Sequence, residues 1–260
     1  MKLHLLPTRT GSAAENMALD FLLLQRYPEP AAPRFRHYDW RGPAFTFGFG
    51  QKIAFVRERL PADERVDLCR RPTGGGIVDH RHDWTYALVL PRGHALYDAR
   101  ATQSYRAVHE CLAGALMALG MPAELKSVPE PAEGGAVGGS VLARDTDPES
   151  RPRSLPQEPL PCPGICFQRA ELFDVVHGRT GAKMAGAAQK RNKHGLLQQG
   201  SIVKSAVGTV DWDDFQARFT AALAGALGAE AAETPWPDLH EDEVSGLIEQ
   251  YSSPEWIEYR

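Results

Sequence analysis

Long apolar runs are missing from this chain: no stretch approaches the ~20 consecutive apolar residues that a membrane-spanning helix needs. The first residues also lack the charged start and apolar stretch of a secretion signal, so a cytoplasmic protein without membrane association is expected. Cysteine is scarce, with four residues at positions 69, 111, 162 and 166. None forms a C-x-x-C pair, and Cys162 and Cys166 meet no second Cys/His pair at suitable spacing, so neither a disulfide framework nor a metal site is expected. Excess positive charge is absent too: 29 Lys and Arg stand against 33 Asp and Glu, a net charge of -4. A nucleic-acid partner would need a basic face, so none is expected. The densest basic stretch, Lys190-Arg191-Asn192-Lys193-His194, reads as a solvated hairpin tip. What remains is 260 residues with 43% hydrophobic content. That is enough for one large domain with a sizeable core, and a monomer is the default expectation.

Periodicity and punctuation give the elements. Ser12-Ala13-Ala14-Glu15 is a capping box ahead of Met17, Leu19, Leu22 and Leu23, which predicts a helix to about Tyr27, ended by Pro28. Arg34 to Tyr38 alternates as a strand. Ala44 to Gln51 follows, with Phe45, Phe47 and Phe49 at every second position and glycines that permit close backbone approach. Thr85 to Leu90 reads as a buried strand. From Ser104 to Leu119, Val108, Cys111, Leu112, Ala115 and Leu116 recur at helical spacing, with Gly120 as the stop. Leu172 to Val176, Ala182 to Ala188 and Leu196 to Val203 form a strand meander. Asp211 caps a helix carrying Phe215, Phe219, Leu223 and Leu227, and a last helix covers Glu241 to Gln250. Strands do not alternate strictly with helices, so the expected class is α+β with a mixed, largely antiparallel sheet.

One segment differs in kind. Residues 127–163 carry Pro129, Pro131, Pro148, Pro152, Pro156, Pro159, Pro161 and Pro163 among glycines and few aromatics, a composition that buries too little surface to offset ordering entropy. It reads as a mobile surface insertion, either a linker or a lid, that delivers Cys166 on its C-terminal side.

Two sets of residues point to chemistry. Cys166, in Gly164-Ile165-Cys166-Phe167, and Lys183, at the head of Lys183-Met184-Ala185-Gly186-Ala187-Ala188-Gln189, offer a thiol and an amine to one reaction centre. A nearby cation can bring a thiol pKa from about 8.5 to ~7 or lower, and the thiolate is the form an acyl-transfer enzyme uses. The second set is Arg70-Arg71-Pro72-Thr73-Gly74-Gly75-Gly76. Consecutive glycines let backbone N–H groups converge on an anion or a carbonyl, and the arginines can add charge-assisted hydrogen bonds. His80 follows closely and could be structural or catalytic. Phe45, Phe47 and Phe49 could line an acyl tunnel or belong to the core.

These residues carry a resemblance. Asn16-Met17-Ala18-Leu19-Asp20, the Phe45 to Gln51 stretch, Arg70 to Gly76 with His80, Lys183 to Gln189 leading to Gln199-Gly200-Ser201-Ile202, and the ending Tyr251-Ser252-Ser253-Pro254-Glu255-Trp256 together resemble the lipoate-protein ligase and octanoyltransferase family. The resemblance implies the fold shared with biotin-protein ligases, and attachment of a medium-chain acyl group to a lysine of a lipoyl domain. Within the family, Cys166-Phe167 resembles the cysteine-dependent transferases, which take octanoyl from acyl carrier protein through a cysteine thioester and need no cofactor. By that likeness Cys166 and Lys183 are the catalytic residues. Arg70, Arg71, Thr73, Gly74, Gly75, Gly76, His80, Gly186 and Ala187 bind substrate. The acceptors are 2-oxoacid dehydrogenase E2 subunits and the glycine-cleavage H protein. The absence of room for an accessory domain before Arg260 points the same way. The triple glycine is nearer the form of the ligases, which use ATP and Mg through a lipoyl-adenylate, so a ligase stays as the alternative. An amidotransferase between carrier proteins and a non-catalytic relative that binds a lipoyl domain or an acyl chain are further alternatives.

Overall fold

A computed structural model describes residues 1–26, 31–62, 64–127 and 169–259. The elements in chain order begin β1 (Lys2–Gly11), α1 (Ala13–Gln25), β2 (Arg34–Trp40), β3 (Ala44–Phe47), α2 (Ile53–Arg57), β4 (Asp67–Arg70), β5 (Ile77–Asp79) and β6 (Asp83–Pro91). There follow α3 (Ala95–Asp98), α4 (Ala101–Ala118), β7 (Ala123–Leu125), β8 (Val175–His177), β9 (Lys183–Asn192) and β10 (Gly195–Val203). The chain continues through α5 (Lys204–Val207), α6 (Trp212–Ala226), β11 (Glu230–Glu233), α7 (Glu241–Ser252) and α8 (Pro254–Ile257). Eight strands form one sheet in the order β11-β1-β2-β6-β10-β9-β8-β7, and three form a second in the order β4-β3-β5. In the large sheet β1 pairs in parallel with β11 and β2 while the remaining pairs are antiparallel, the α+β architecture expected.

Local chemistry starts the helices where the sequence places them. Ser12 Oγ accepts the Glu15 N–H at 3.2 Å and Glu15 Oε2 accepts the Ser12 N–H at 2.6 Å, closing the capping box of α1. The Asp211 side chain accepts from the N–H groups of Asp213 and Asp214 at the head of α6. Central strand β6 is buried along its whole length. Its alternation sorts two cores: Trp84, Tyr86, Leu88 and Leu90 pack with Val108, Leu112 and Leu116 of α4 and Phe215 and Phe219 of α6. Ala87 and Val89 join Met17 and Leu23 of α1 and Tyr251 of α7 in the other core. Helices therefore cover the sheet on both faces. Strands β1 and β11 and the small sheet go beyond the sequence reading.

One open alternative is decided and one expectation is corrected. Phe45 and Phe47 are buried with Val56 and Ile77 in a core of the small sheet's own, and Phe49 lies against Trp256 and Tyr259, so these rings form no acyl tunnel. Arg191 is no solvated tip residue: its guanidinium donates to the carbonyls of Tyr97, Ala99 (2.6 Å) and Leu96 (3.2 Å) and to Ser104 Oγ (2.8 Å). The insertion expected at 127–163 lies, except for Ser127, outside the described residues, as do Cys162 and Cys166.

Candidate active site

Lys183 opens β9, and the register of its neighbours decides where its side chain goes. Val175 pairs with Ala185 but Val176 pairs with Lys183, so β9 holds one residue more than β8 over that step. This is a β-bulge, which re-aims the side chains around it. The Lys183 side chain runs back over Gly186, where an added Cβ would lie 2.7 Å from Lys183 Cε and 2.8 Å from Nζ. Its ammonium meets Asp174 Oδ2 at 2.7 Å, and the two side chains are only 7% and 1% exposed. A carboxylate so buried must be fully hydrogen-bonded. Asp174 accepts the Glu171 N–H at 2.7 Å on Oδ2 and the Tyr105 hydroxyl at 2.5 Å on Oδ1. Tyr105 Oη in turn accepts the Ala187 N–H at 2.9 Å. Burial first, and Asp174 second, push the Tyr105 phenol well above its ordinary value, so it stays protonated.

The glycine loop is held in place from below by Arg71, which donates to Gly74 O at 3.0 Å, Gly76 O at 2.9 Å and Thr46 Oγ1 at 2.7 Å. Gly75 takes φ +89°, open to glycine at little cost. The loop presses on Gly48, where a Cβ would stand 2.0 Å from Gly75 O. With those carbonyls turned inward, the N–H groups of Gly74 and Gly75 have no partner among the described residues. Thr73 Oγ1 donates to Gln199 Oε1 at 2.7 Å, and Gln199 Nε2 donates to Asp20 Oδ2 at 2.7 Å. Asp20 faces Arg36 at 3.2 Å, and Arg36 donates to Asn16 Oδ1 at 2.7 Å. The Asn16 to Asp20 motif thus reaches the loop through a buried polar chain that starts on α1.

His80 stacks on Trp40 with ring centroids 4.0 Å apart. Its Nδ1 donates to Asp83 Oδ2 at 2.7 Å, and its Nε2 shares a hydrogen bond of 2.7 Å with the Thr46 hydroxyl. Both ring nitrogens are therefore committed, and His80 is a wall of the site and an anchor of the small sheet.

One cavity between the two sheets collects these groups. Arg71, Gly75, His80, Lys183, Gly186 and Ala187 line it, together with Met17, Tyr38, Thr46, Ala188, Gly200 and Ser201. Gly200 is required there because the Tyr86 ring crosses it, 2.2 Å from where a Cβ would be. Of the remaining expected residues, Thr73, Gly74 and Gly76 support the loop. Arg70 departs from expectation: its guanidinium donates to the carbonyls of Trp256 (2.9 Å), Phe49 and Gln51 (both 2.8 Å) and Ile257 (2.7 Å). It straps α8 to the turn after β3 and does not line the cavity. The Ala187 N–H is likewise taken by Tyr105, so that amide is no donor to a substrate here. Asp174 and Tyr105 are the site residues the sequence reading missed; an acidic residue inside the apolar run Leu172-Phe173-Asp174-Val175-Val176 was the available signal.

Cys166 lies outside the described residues. The two described thiols are unsuited to nucleophilic attack: burial pushes both up, Cys111 to about 11 and buried Cys69 further. Among the described residues no group of three or more His, Cys, Asp or Glu side chains could hold a metal ion, and no helix is long and apolar enough to cross a membrane.

A family model, the lipoyl protein ligase A/B catalytic domain, matches residues 12–210. The octanoyltransferase LipM of an Exiguobacterium species is 28% identical over 98% of this chain and 97% of its own length. The octanoyltransferase LipM of Geobacillus kaustophilus is 34% identical over 73% of this chain and 61% of its own length. Among solved structures, a bi-partite lipoate protein ligase from Thermoplasma acidophilum superposes with a TM-score of 0.68 at 17% identity, covering 100% of this chain and 98% of the other, a likeness of fold alone.

Proposed function

We propose, from the premise that this chain belongs to the lipoyl protein ligase A/B catalytic-domain family, that it is a protein N-octanoyltransferase acting through a thioester on Cys166. The observation that carries the reading is the Lys183 ammonium, held by Asp174 at 2.7 Å on the wall of a cavity whose other side is the glycine loop. The similarity to proteins named octanoyltransferase LipM supports the choice of acyl group. We take residues 1–260 as one catalytic domain, because the cavity needs both sheets.

In the first step the Cys166 thiolate attacks the thioester carbonyl of octanoyl-acyl carrier protein. The new C–S bond forms, the tetrahedral oxyanion collapses, and the phosphopantetheine thiolate leaves and takes a proton from solvent. Thioester exchange is nearly isoenergetic, so the step needs neither ATP nor Mg. In the second step a lipoyl-domain lysine, as the free amine, attacks acyl-Cys166. The amide forms, the amine nitrogen loses a proton to solvent, and the Cys166 thiolate is expelled. The Lys183 charge stabilises the thiolate and both oxyanions, and the N–H groups of Gly74 and Gly75 are available to an acyl carbonyl. The acceptors would be E2 subunits or the glycine-cleavage H protein. The test is intact mass after incubation with octanoyl-acyl carrier protein without ATP, beside Cys166→Ser. A hydroxylamine-labile octanoyl adduct, absent from the variant, is expected. No adduct, with product formed only when ATP and free lipoate are supplied, overturns the reading in favour of the ligase.

A further inference from the structure

Helix α4 carries two polar side chains, half-buried Tyr105 and buried His109, that the chemistry above does not use. Tyr105 and His109 stand at i and i+4 on one face, with ring centroids 4.1 Å apart. That face otherwise carries Val108, Leu112 and Leu116 into the core, where a polar group is costly unless hydrogen-bonded. Both are bonded to the same corner of the chain, just before β8. Tyr105 donates to Asp174 Oδ1 at 2.5 Å and ties that carboxylate to β9 through the Ala187 N–H. His109 Nδ1 meets Phe173 O at 2.7 Å. A carbonyl only accepts, so Nδ1 carries the proton; the opposite nitrogen, Nε2, is buried without a partner among the described residues. Phe173, whose carbonyl is held, is the only non-glycine described residue with positive φ, at +67°. Such a conformation persists only where its surroundings enforce it. Its own N–H donates to Lys126 O at 2.9 Å.

We propose that Tyr105 and His109 are positioning residues for Lys183: one grips the carboxylate of Asp174, the other fixes the left-handed turn at Phe173 that aims that carboxylate at Nζ. Neither touches the substrate. The role rests on the reading of Lys183 as the catalytic cation. Were the two side chains only satisfying the backbone of a core turn, their removal would lower stability and leave Lys183 as it is.

Trace acetylation of the intact chain with acetic anhydride, read by mass spectrometry at Lys183 relative to the other lysines, separates the two without reference to activity. Losing either the Tyr105 hydrogen bond to Asp174 or the His109 hydrogen bond that fixes the Phe173 turn loosens the hold of the carboxylate on Nζ, so Lys183 should react about tenfold faster in Tyr105→Phe and in His109→Leu. In His109→Asn, whose amide can still donate to Phe173 O, labelling should stay near that of the parent. In octanoyl transfer, Tyr105→Phe should lower kcat with KM unchanged and add nothing to the loss in Lys183→Ala. Should His109→Leu fail to fold, Tyr105→Phe decides, because it keeps the ring. Parent-like labelling of Lys183 in the folded variants, or an additive loss in the double variant, overturns the proposal. Full transfer by Lys183→Ala would instead refute the role of Lys183 itself, and the labelling ratio would still decide the positioning.

Discussion

Replacing Gly186 by alanine tests the packing of the site with one methyl group. The new Cβ would stand 2.7 Å from Lys183 Cε, 2.8 Å from Nζ and 3.1 Å from Asp174 Oδ1. Carbon atoms rest at about 3.5–4.0 Å, so the end of the lysine must withdraw by roughly 1 Å. Because a lysine tip is flexible, the overpacking cost falls at the lower end of the usual ~1–3 kcal/mol, a melting shift of about 2–6 °C for a chain of this size. Activity should suffer far more, since a displacement of about 1 Å in a positioned group can cost about 100-fold in rate. Thermal melting and octanoyl transfer, measured on Gly186→Ala and on Gly186→Ala combined with Lys183→Ala, give the answer. The double variant should be no less active than Lys183→Ala alone, and the melting shift should shrink once the clashing side chain is gone. Parent-like transfer by a folded Gly186→Ala would refute the assignment of Lys183 to the chemistry.

At Gly48 an added Cβ meets backbone 2.0 Å away, at Gly75 O, which cannot yield as a lysine tip does, so Gly48→Ala should both lower the melting temperature and displace the loop, visible as a raised KM for the acyl donor. Arg70→Met removes donors from four partly buried carbonyls and should cost about 2–4 kcal/mol in urea unfolding with KM little changed; a KM effect without a stability loss would return Arg70 to substrate binding. Alkylation with iodoacetamide at pH 7 should spare Cys111, pushed up to about 11 by burial first, and Cys69; labelling of Cys111 in the native chain as fast as of a free thiol would contradict the packing of α4. His109 is held below its ordinary value first by burial, so it stays neutral in the fold while the unfolded chain takes up a proton below about pH 6.5. Folding stability should therefore fall with pH below that point by up to about 1.4 kcal/mol per pH unit from this residue, and His109→Asn should flatten the urea-midpoint profile between about pH 6.5 and 5.

What was legible in the sequence was whatever a short stretch decides for itself. The capping box at Ser12 and Glu15, the helical spacing from Val108 to Leu116 with Gly120 beyond it, and Asp211 ahead of α6 all depend on neighbours within a turn or two, and each stands where the pattern puts it. Strand β11 was not legible, because Glu230–Glu233 has no apolar alternation and exists through its parallel pairing with the opposite end of the chain at β1. The alternation of Phe45, Thr46 and Phe47 marks a strand but leaves open which of its faces meets the site. The phenylalanines fill the small sheet's core, and it is Thr46, pointing the other way, that meets Arg71, His80 and the cavity.

The same two-sidedness separates Arg70 from Arg71, which a run of two arginines cannot do. Arg70 ends β4 with its side chain toward α8, so the next residue turns toward the loop and the cavity. Lys183 was legible as a residue type in a telling setting, while its direction was not: that follows from a bulge, and a bulge is a property of how β9 registers against β8. Asp174 was hidden for a related reason. Nine positions before Lys183, its aim depends on a left-handed Phe173 that no propensity would predict and on Tyr105 and His109 from a helix far upstream. A buried ion pair adds little net stability beyond its desolvation cost, so a pair this enclosed is better explained by the direction it gives the ammonium. The parts of the site that sequence alone could not supply are thus those fixed by three separate elements meeting at one carboxylate.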